Sequence, residues 1–187
     1  MYGIVLEGGG ARGAYQVGVW KALNDLGVEY AGVAGASVGA INGAMMIQGD
    51  LERAIDIWSN LTPSQVVRLD EEVKKGDAVS LLHAVKTLFR EGGMDVTPLR
   101  LLLEGAIEEE RIRETGKVFG LITISLPEFQ PLRLYLEDIP RGKLVDYLLA
   151  SANLPLFKRQ KVDGRTFMDG GVYDNLPISL LTDRGFR

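Results

Sequence analysis

The spacing of apolar positions divides the chain into three stretches with different rhythms. Tyr2 to Leu6 is a short apolar run that predicts a strand over Gly3–Leu6, and a glycine loop follows it. The period then turns helical over about Gly13–Leu26, where Tyr15, Val19, Leu23 and Leu26 form the expected apolar face and Gly27 the C-terminal stop. A second strand is predicted over about Gly32–Ala36, then a tight turn, then a helix over about Val38–Gln48. Short apolar runs alternating with helices imply βαβ units, an α/β fold and a mostly parallel sheet.

The middle, Leu51–Gly116, contains no convincing strand. Its segment DAVSLLHAVKTLFR carries Leu81, Leu82, Val85, Leu88 and Phe89 on one helical face. Gly92 and Gly93 break the chain, and TPLRLLLEGAI restarts a helix with Thr97 expected as N-cap and Pro98 at the first helical position. EEERIRE reads as a solvated helix face. Residues 51–116 are a candidate mobile cover with a membrane-facing surface, or else the outer helical layer of the fold. From Val118 the period is that of strands: VFGLITISL and LRLYLED predict a hairpin. LVDYLLASANLPLF predicts a helix ending before Pro155, and VDGRTFMDGGVYDNLP places two glycine turns around a short strand. The chain ends after the helical ISLLTDRGF, where such a sheet would normally gain another strand, so the native protein is expected to continue beyond Arg187.

At 187 residues the chain is one domain, 1–187, large enough to bury a core. Its net charge of −4 argues against nucleic acid as a partner. With no cysteine, disulfides, thiolate metal sites and a Cys nucleophile are excluded, and the single His83 excludes a multi-histidine metal centre. Met1 leads almost directly into strand-like sequence, and no apolar run approaches the roughly 20 residues of a membrane span. The expected compartment is cytoplasmic, with any membrane contact peripheral.

Two glycine-rich turns carry candidate chemistry. Gly35-Ala36-Ser37-Val38-Gly39 is a G-x-S-x-G match directly between a predicted strand and a predicted helix. That placement lifts a serine hydroxyl off a strained turn, with glycines where a Cβ would clash. A packing role is compatible with it: Ala36, Gly39, Ala40, Gly43 and Ala44 are small enough to press a helix on a sheet, with Ser37 as its N-cap. The loop EGGGARGAYQVG opens the other turn. Gly8-x-Gly10-x-x-Gly13 fits the dinucleotide fingerprint, with Glu29 near the distance of a ribose contact, although Glu29 precedes the next strand instead of ending it. In an acyl-transfer reading, the amides of Gly9 and Gly10 face the carbonyl oxygen of an ester attacked by Ser37 and form an oxyanion hole.

A nucleophilic serine needs a base. His83 lies mid-helix on the amphipathic middle segment, so the base is expected to be a carboxylate or a lysine instead. Asp169 in MDGGVYDN sits at a strand end with Gly170 and Gly171 behind it; an Asx-type turn is the competing reading. Asp163 and Asp174 read as turn and cap residues. An aspartate can act as base only where burial lifts it above its reference value of about 3.9, which implies an apolar pocket suited to a fatty acyl chain.

Together GGGARG, GASVG and DGGVYDNLP, with ASANLPLF before the last, resemble the patatin-like phospholipase family, and the resemblance covers nearly the whole chain in order. It implies a three-layer α/β/α sandwich and a lipid acyl hydrolase, phospholipase A-like, needing neither metal nor cofactor. Carried over, Ser37 matches the nucleophile, Asp169 the general base, and Gly8, Gly9 and Gly10 with Arg12 the oxyanion loop. The implied substrate is a fatty acyl ester or phospholipid. Two other readings stay open: a dinucleotide-binding protein, and a catalytically silent lipid-binding member of the fold.

Overall fold

The computed structural model describes residues 1–68 and 92–187. The predicted segment DAVSLLHAVKTLFR, with His83, lies outside the described residues. In chain order the elements are β1 (Gly3–Leu6), α1 (Gly13–Asp25), β2 (Gly32–Ala36), α2 (Val38–Gln48), α3 (Leu51–Asn60), α4 (Pro63–Val66), α5 (Thr97–Ala106), α6 (Glu109–Glu114), β3 (Val118–Leu126), β4 (Gln130–Tyr135), α7 (Leu144–Ser151), β5 (Lys161–Val162), β6 (Arg165–Asp169) and α8 (Ser179–Thr182).

Six strands form one sheet in the order β1-β2-β3-β6-β5, with β4 also paired to β3. β1, β2 and β3 are parallel, while β4 and β6 run antiparallel to β3, and β5 runs antiparallel to β6. Four of the six strands therefore point the same way, as the alternating pattern predicts. The predicted hairpin is β3–β4, paired from Gly120↔Tyr135 to Ser125↔Gln130.

Because side chains alternate across a sheet, each strand feeds two cores. Ile4, Leu6, Val33, Phe119 and Leu121 face a large apolar cluster shared with α1, α2, α3, α5, α6 and α7. Val5, Ala34 and Val118 face the opposite side, covered among the described residues by Leu180 and Leu181 of α8 and by Phe186. The helical side is the thick layer of the α/β/α sandwich, and α8 supplies the other. α2 is almost wholly buried, its Ala40, Gly43 and Ala44 letting it press on the sheet.

Several elements depart from the sequence reading, each for a reason seen in its contacts. In α1 the buried line is Gly13, Val17 and Trp20, whereas Tyr15 and Leu26 are each 78% exposed. A Cβ on Gly13 would stand 2.6 Å from both Trp58 and Val38, so this bare position turns its side of the helix inward. The helix ends as predicted: Gly27 has φ +66° and the Val28 amide closes back on the Leu23 carbonyl, a Schellman stop. Thr97 is the first residue of α5, and Asp95 caps it by accepting from the Thr97 amide at 2.8 Å and hydroxyl at 2.6 Å. α7 ends at Ser151, before Pro155 as expected, and beyond it the Asn153 carbonyl accepts from the Asp169 amide at 2.8 Å.

EEERIRE is not merely a solvated face. Ile112 is fully buried, and the Glu109 and Arg113 side chains are only 14% and 13% exposed. Arg113 donates to Glu109 at 2.8 Å and to the carbonyls of Leu136 and Ile139, while Glu109 accepts from the amides of Gly142 and Leu144 at 3.0 Å each. Glu109, held by Arg113, thereby caps the start of α7, where a carboxylate also suits the positive end of the helix. Glu109→Ala would leave Arg113 without its carboxylate and the Gly142 and Leu144 amides without their acceptor. It is expected to cost about 3 kcal/mol, read as a lower urea midpoint at unchanged denaturant slope.

Candidate active site

Ser37 occupies a turn that side-chain-bearing residues rarely adopt, with φ 54° and ψ −128°, between β2 and α2. Its neighbours explain how that is tolerated. A Cβ on Gly35 would lie 2.4 Å from the Gly39 backbone, and one on Gly39 would lie 2.4 Å from the Leu6 carbonyl oxygen. Only glycine fits at either position. The Ser37 amide donates to Ser151 Oγ at 3.0 Å, and the Ser151 hydroxyl donates to the Ile122 carbonyl at 2.7 Å. Ser151 is fully buried and Ser37 is 8% exposed.

Sheet register brings Asp169 to the same place. β2 pairs with β3 up to Ala36↔Ile122, and β6 takes over from the next residue with Thr123↔Asp169. β4 holds the other edge of β3 across these positions. β2 and β6 therefore share one edge of β3 and meet end to end, each with its last residue at the junction. Gly170 must be bare, since a Cβ would stand 2.1 Å from the Ile122 carbonyl oxygen. Asp169 is 3% exposed; its Oδ1 accepts from the Gly171 amide at 2.7 Å, and its buried Oδ2 has no hydrogen bond of good geometry. Burial pushes the Asp169 carboxyl above the ordinary carboxylate range, against the smaller opposing influences of the nearby Ser37 hydroxyl and the Gly171 amide.

The glycine loop closes over this junction. The Gly8 amide donates to the Asn175 carbonyl at 3.1 Å, and Asn175 Nδ2 donates back to the Gly8 carbonyl at 3.2 Å. A Cβ on Gly8 would be 2.5 Å from Asn175 Oδ1 and 3.2 Å from Ser37 Cβ. With the Gly8 amide engaged, Gly9 and Gly10 offer amides that have no hydrogen-bond partner among the described residues. Gly10, at φ +55°, lines a cavity of about 490 Å3 together with Ala11 and Ser37. Its other walls are largely apolar, including Ile41, Met45, Trp58, Leu99 and Phe157. Arg12 is exposed; its guanidinium folds over Gly9 and lies 3.9 Å from Glu7, and its amide donates to the Gly9 carbonyl. It braces the loop and does not line the cavity.

Residues 4–182 match the patatin-like phospholipase family. The chain belongs to that family. An uncharacterized NTE family protein of Mycobacterium bovis is 31% identical over 94% of this chain, and the match covers 44% of that relative. Neuropathy target esterase sws of Drosophila melanogaster is 28% identical over 98% of this chain and 12% of its own length. The crystal structure of VipD from Legionella pneumophila shares the fold, with a TM-score of 0.63 at 17% identity over 94% of this chain and 47% of that one. The chain thus spans less than half the length of these curated relatives.

Against this patatin-like frame the remaining candidates separate. Ser37, Asp169 and the glycine loop converge. Asp163 sits in the two-residue Asp163-Gly164 turn of the β5–β6 hairpin, both residues at positive φ, and accepts from the Tyr147 hydroxyl at 3.0 Å. Asp174 follows the turn after β6, its amide bonded to the Gly170 carbonyl. Glu29 is exposed ahead of β2, at the sheet end opposite the glycine loop, which removes the geometric basis for a ribose contact. Among the described residues no cluster of acidic or histidine side chains could hold a metal ion. Ser151, Asn153 and Asn175 support the site, and sequence reasoning assigned none of them. Ser151 and Asn153 lie in ASANLPLF and Asn175 in DGGVYDNLP, so their segments were visible but their partners were not.

A raised carboxyl has a sign-determined effect on stability. Between the ordinary value of 3.8 and the elevated folded value, the folded protein binds the Asp169 proton more tightly than the unfolded chain does. Stability from this group is therefore lost as pH rises through that window, and the buried charge is a penalty at neutral pH. Asp169→Asn keeps the acceptor for Gly171 and removes the charge. It is expected to melt at a higher temperature than wild type at pH 7, with the difference disappearing below the ordinary carboxylate range in a calorimetric pH series.

Proposed function

We propose that the protein is a serine acyl-ester hydrolase acting on fatty acyl esters of lipids, phospholipase A-like, with Ser37 as nucleophile and Asp169 as general base. The observation that carries this reading is the end-to-end meeting of β2 and β6, which sets the strained serine beside a buried carboxylate of elevated proton affinity. The shared family and a relative named as an esterase support the substrate class.

The proposed reaction follows from what each group offers. The ester enters the apolar cavity with its carbonyl carbon at Ser37 Oγ. Asp169 takes the hydroxyl proton as Oγ bonds to that carbon, and the carbonyl electron pair moves onto oxygen. The amides of Gly9 and Gly10 donate to the resulting oxyanion, and such preorganised donors are worth about 2.7–4 kcal/mol each. Collapse expels the alcohol, which leaves with the proton from Asp169. Water then attacks the acyl-serine, with Asp169 again accepting a proton, and Ser37 is regenerated as the free acid departs. No histidine is needed because burial has already moved the carboxyl toward the proton affinity of a useful base.

The test is covalent. A fluorophosphonate probe is expected to label wild type and leave Ser37→Ala unlabelled; labelling that survives the substitution would remove the nucleophile assignment, and no labelling of either would favour a silent lipid-binding protein. Asp169→Asn should retain the fold and lose about 10²–10⁴-fold in p-nitrophenyl ester turnover. In wild type, kcat/KM should rise with pH through an apparent value above that of an ordinary carboxylate, because Asp169 must be deprotonated to act.

A further inference from the structure

The segment that follows α7 leads from the cavity wall to the surface and changes character on the way. Leu154 lines the cavity yet is 42% exposed, and Leu156 is 61% exposed. Lys158, Arg159 and Lys161 follow within five residues, all exposed and none in an ion pair among the described residues. The hydrogen bond from the Asp169 amide to the Asn153 carbonyl ties this segment to the loop after β6. That loop exposes Val172 at 58% and Tyr173 at 60%. Two apolar loops thus flank the carboxyl edge of the sheet, and one of them carries a run of cations on a chain whose net charge is −4.

Edge protection of β5 would account for Lys161, but it gives no reason for exposed leucines beside it. Apolar side chains able to enter a headgroup boundary, next to cations that pair with its charge, are what an anionic interface selects. We propose that residues 154–161, with Val172 and Tyr173, form a docking surface for an anionic lipid surface, placing the cavity mouth against it. The surface stands on its own observations and does not depend on the chemistry proposed for Ser37.

The experiment is vesicle flotation with the 187-residue chain carrying Ser37→Ala, so that turnover cannot alter the vesicles. Vesicles of phosphatidylcholine alone are compared with phosphatidylcholine and phosphatidylglycerol in equal parts. The protein should float with the mixed vesicles, stay behind with the neutral ones, and be released at about 1 M salt, where screening acts within about 3 Å. The pair Arg159→Glu and Lys161→Glu should weaken partitioning about tenfold or more, since each cation near such a surface contributes roughly a fivefold factor. Leu156→Ser should weaken it too. Lys21→Glu in α1 with Arg141→Glu in the turn before α7 makes the same net change outside the proposed surface and should weaken it far less. On the Ser37 background, Leu156→Ser should leave hydrolysis of a soluble p-nitrophenyl ester unchanged, which separates docking from chemistry. Equal binding to both vesicle types, equal losses in the two charge-reversed pairs, or no binding to either vesicle would each overturn the proposal; the last is what an acidic protein partner would give.

Discussion

One edge of β3 is shared by two strands that arrive from opposite directions, and the site depends on how that junction is closed. β2 stops opposite Ile122 and β6 stops opposite Thr123, so the regular ladder is interrupted between neighbouring residues. An interrupted ladder leaves backbone polar groups to satisfy by other means. Ser151 does this by donating to the Ile122 carbonyl while accepting the Ser37 amide, and Thr123 Oγ1 lies 3.0 Å from the carbonyls of Ala150 and Met168. The bonds that repair the sheet are the same bonds that hold the elbow.

That closure carries two unfavourable features. A non-glycine residue in a sparsely populated backbone region costs on the order of 1–3 kcal/mol, and Asp169 keeps a carboxyl buried with one oxygen lacking a good hydrogen bond. Both persist because the surroundings leave little freedom. α2 is packed on the sheet through glycine and alanine, α7 is capped at its start by Glu109, and Asn42 joins α1, α2 and α3 through Gly13, Gln16 and Trp58. The strained turn therefore sits on rigid elements.

The parts legible in the sequence were those set by local backbone demands. The limits of β2 and α2, the Gly27 stop and the turn chemistry around Ser37 and Asp169 follow from glycine placement and short-range periodicity, and the structure has them where the residues put them. What was not legible came from partners far along the chain. The α1 face was misread because Gly13 has no side chain to score, yet Trp58 and Val38 press directly on it. Glu109 and Arg113 looked solvated because their partners, Leu136, Ile139, Gly142 and Leu144, lie 23 to 35 residues away. The Gly8–Asn175 clamp spans 167 residues, so no window of sequence contains both halves.

Serine and carboxylate also meet their surroundings differently. Ser37, Gly10 and Ala11 line the cavity, whereas Asp169 does not and is more deeply buried than the serine in front of it. The carboxylate thus lies outside the cavity lining, at the junction of β2 and β6. In the reaction proposed above the oxyanion would form on the loop side of Ser37, and this separation leaves Asp169 out of that lining. It also keeps the carboxyl out of bulk water, which is the condition for its raised proton affinity. The same end-to-end arrangement of strands thus sets both the position of the charge and its strength.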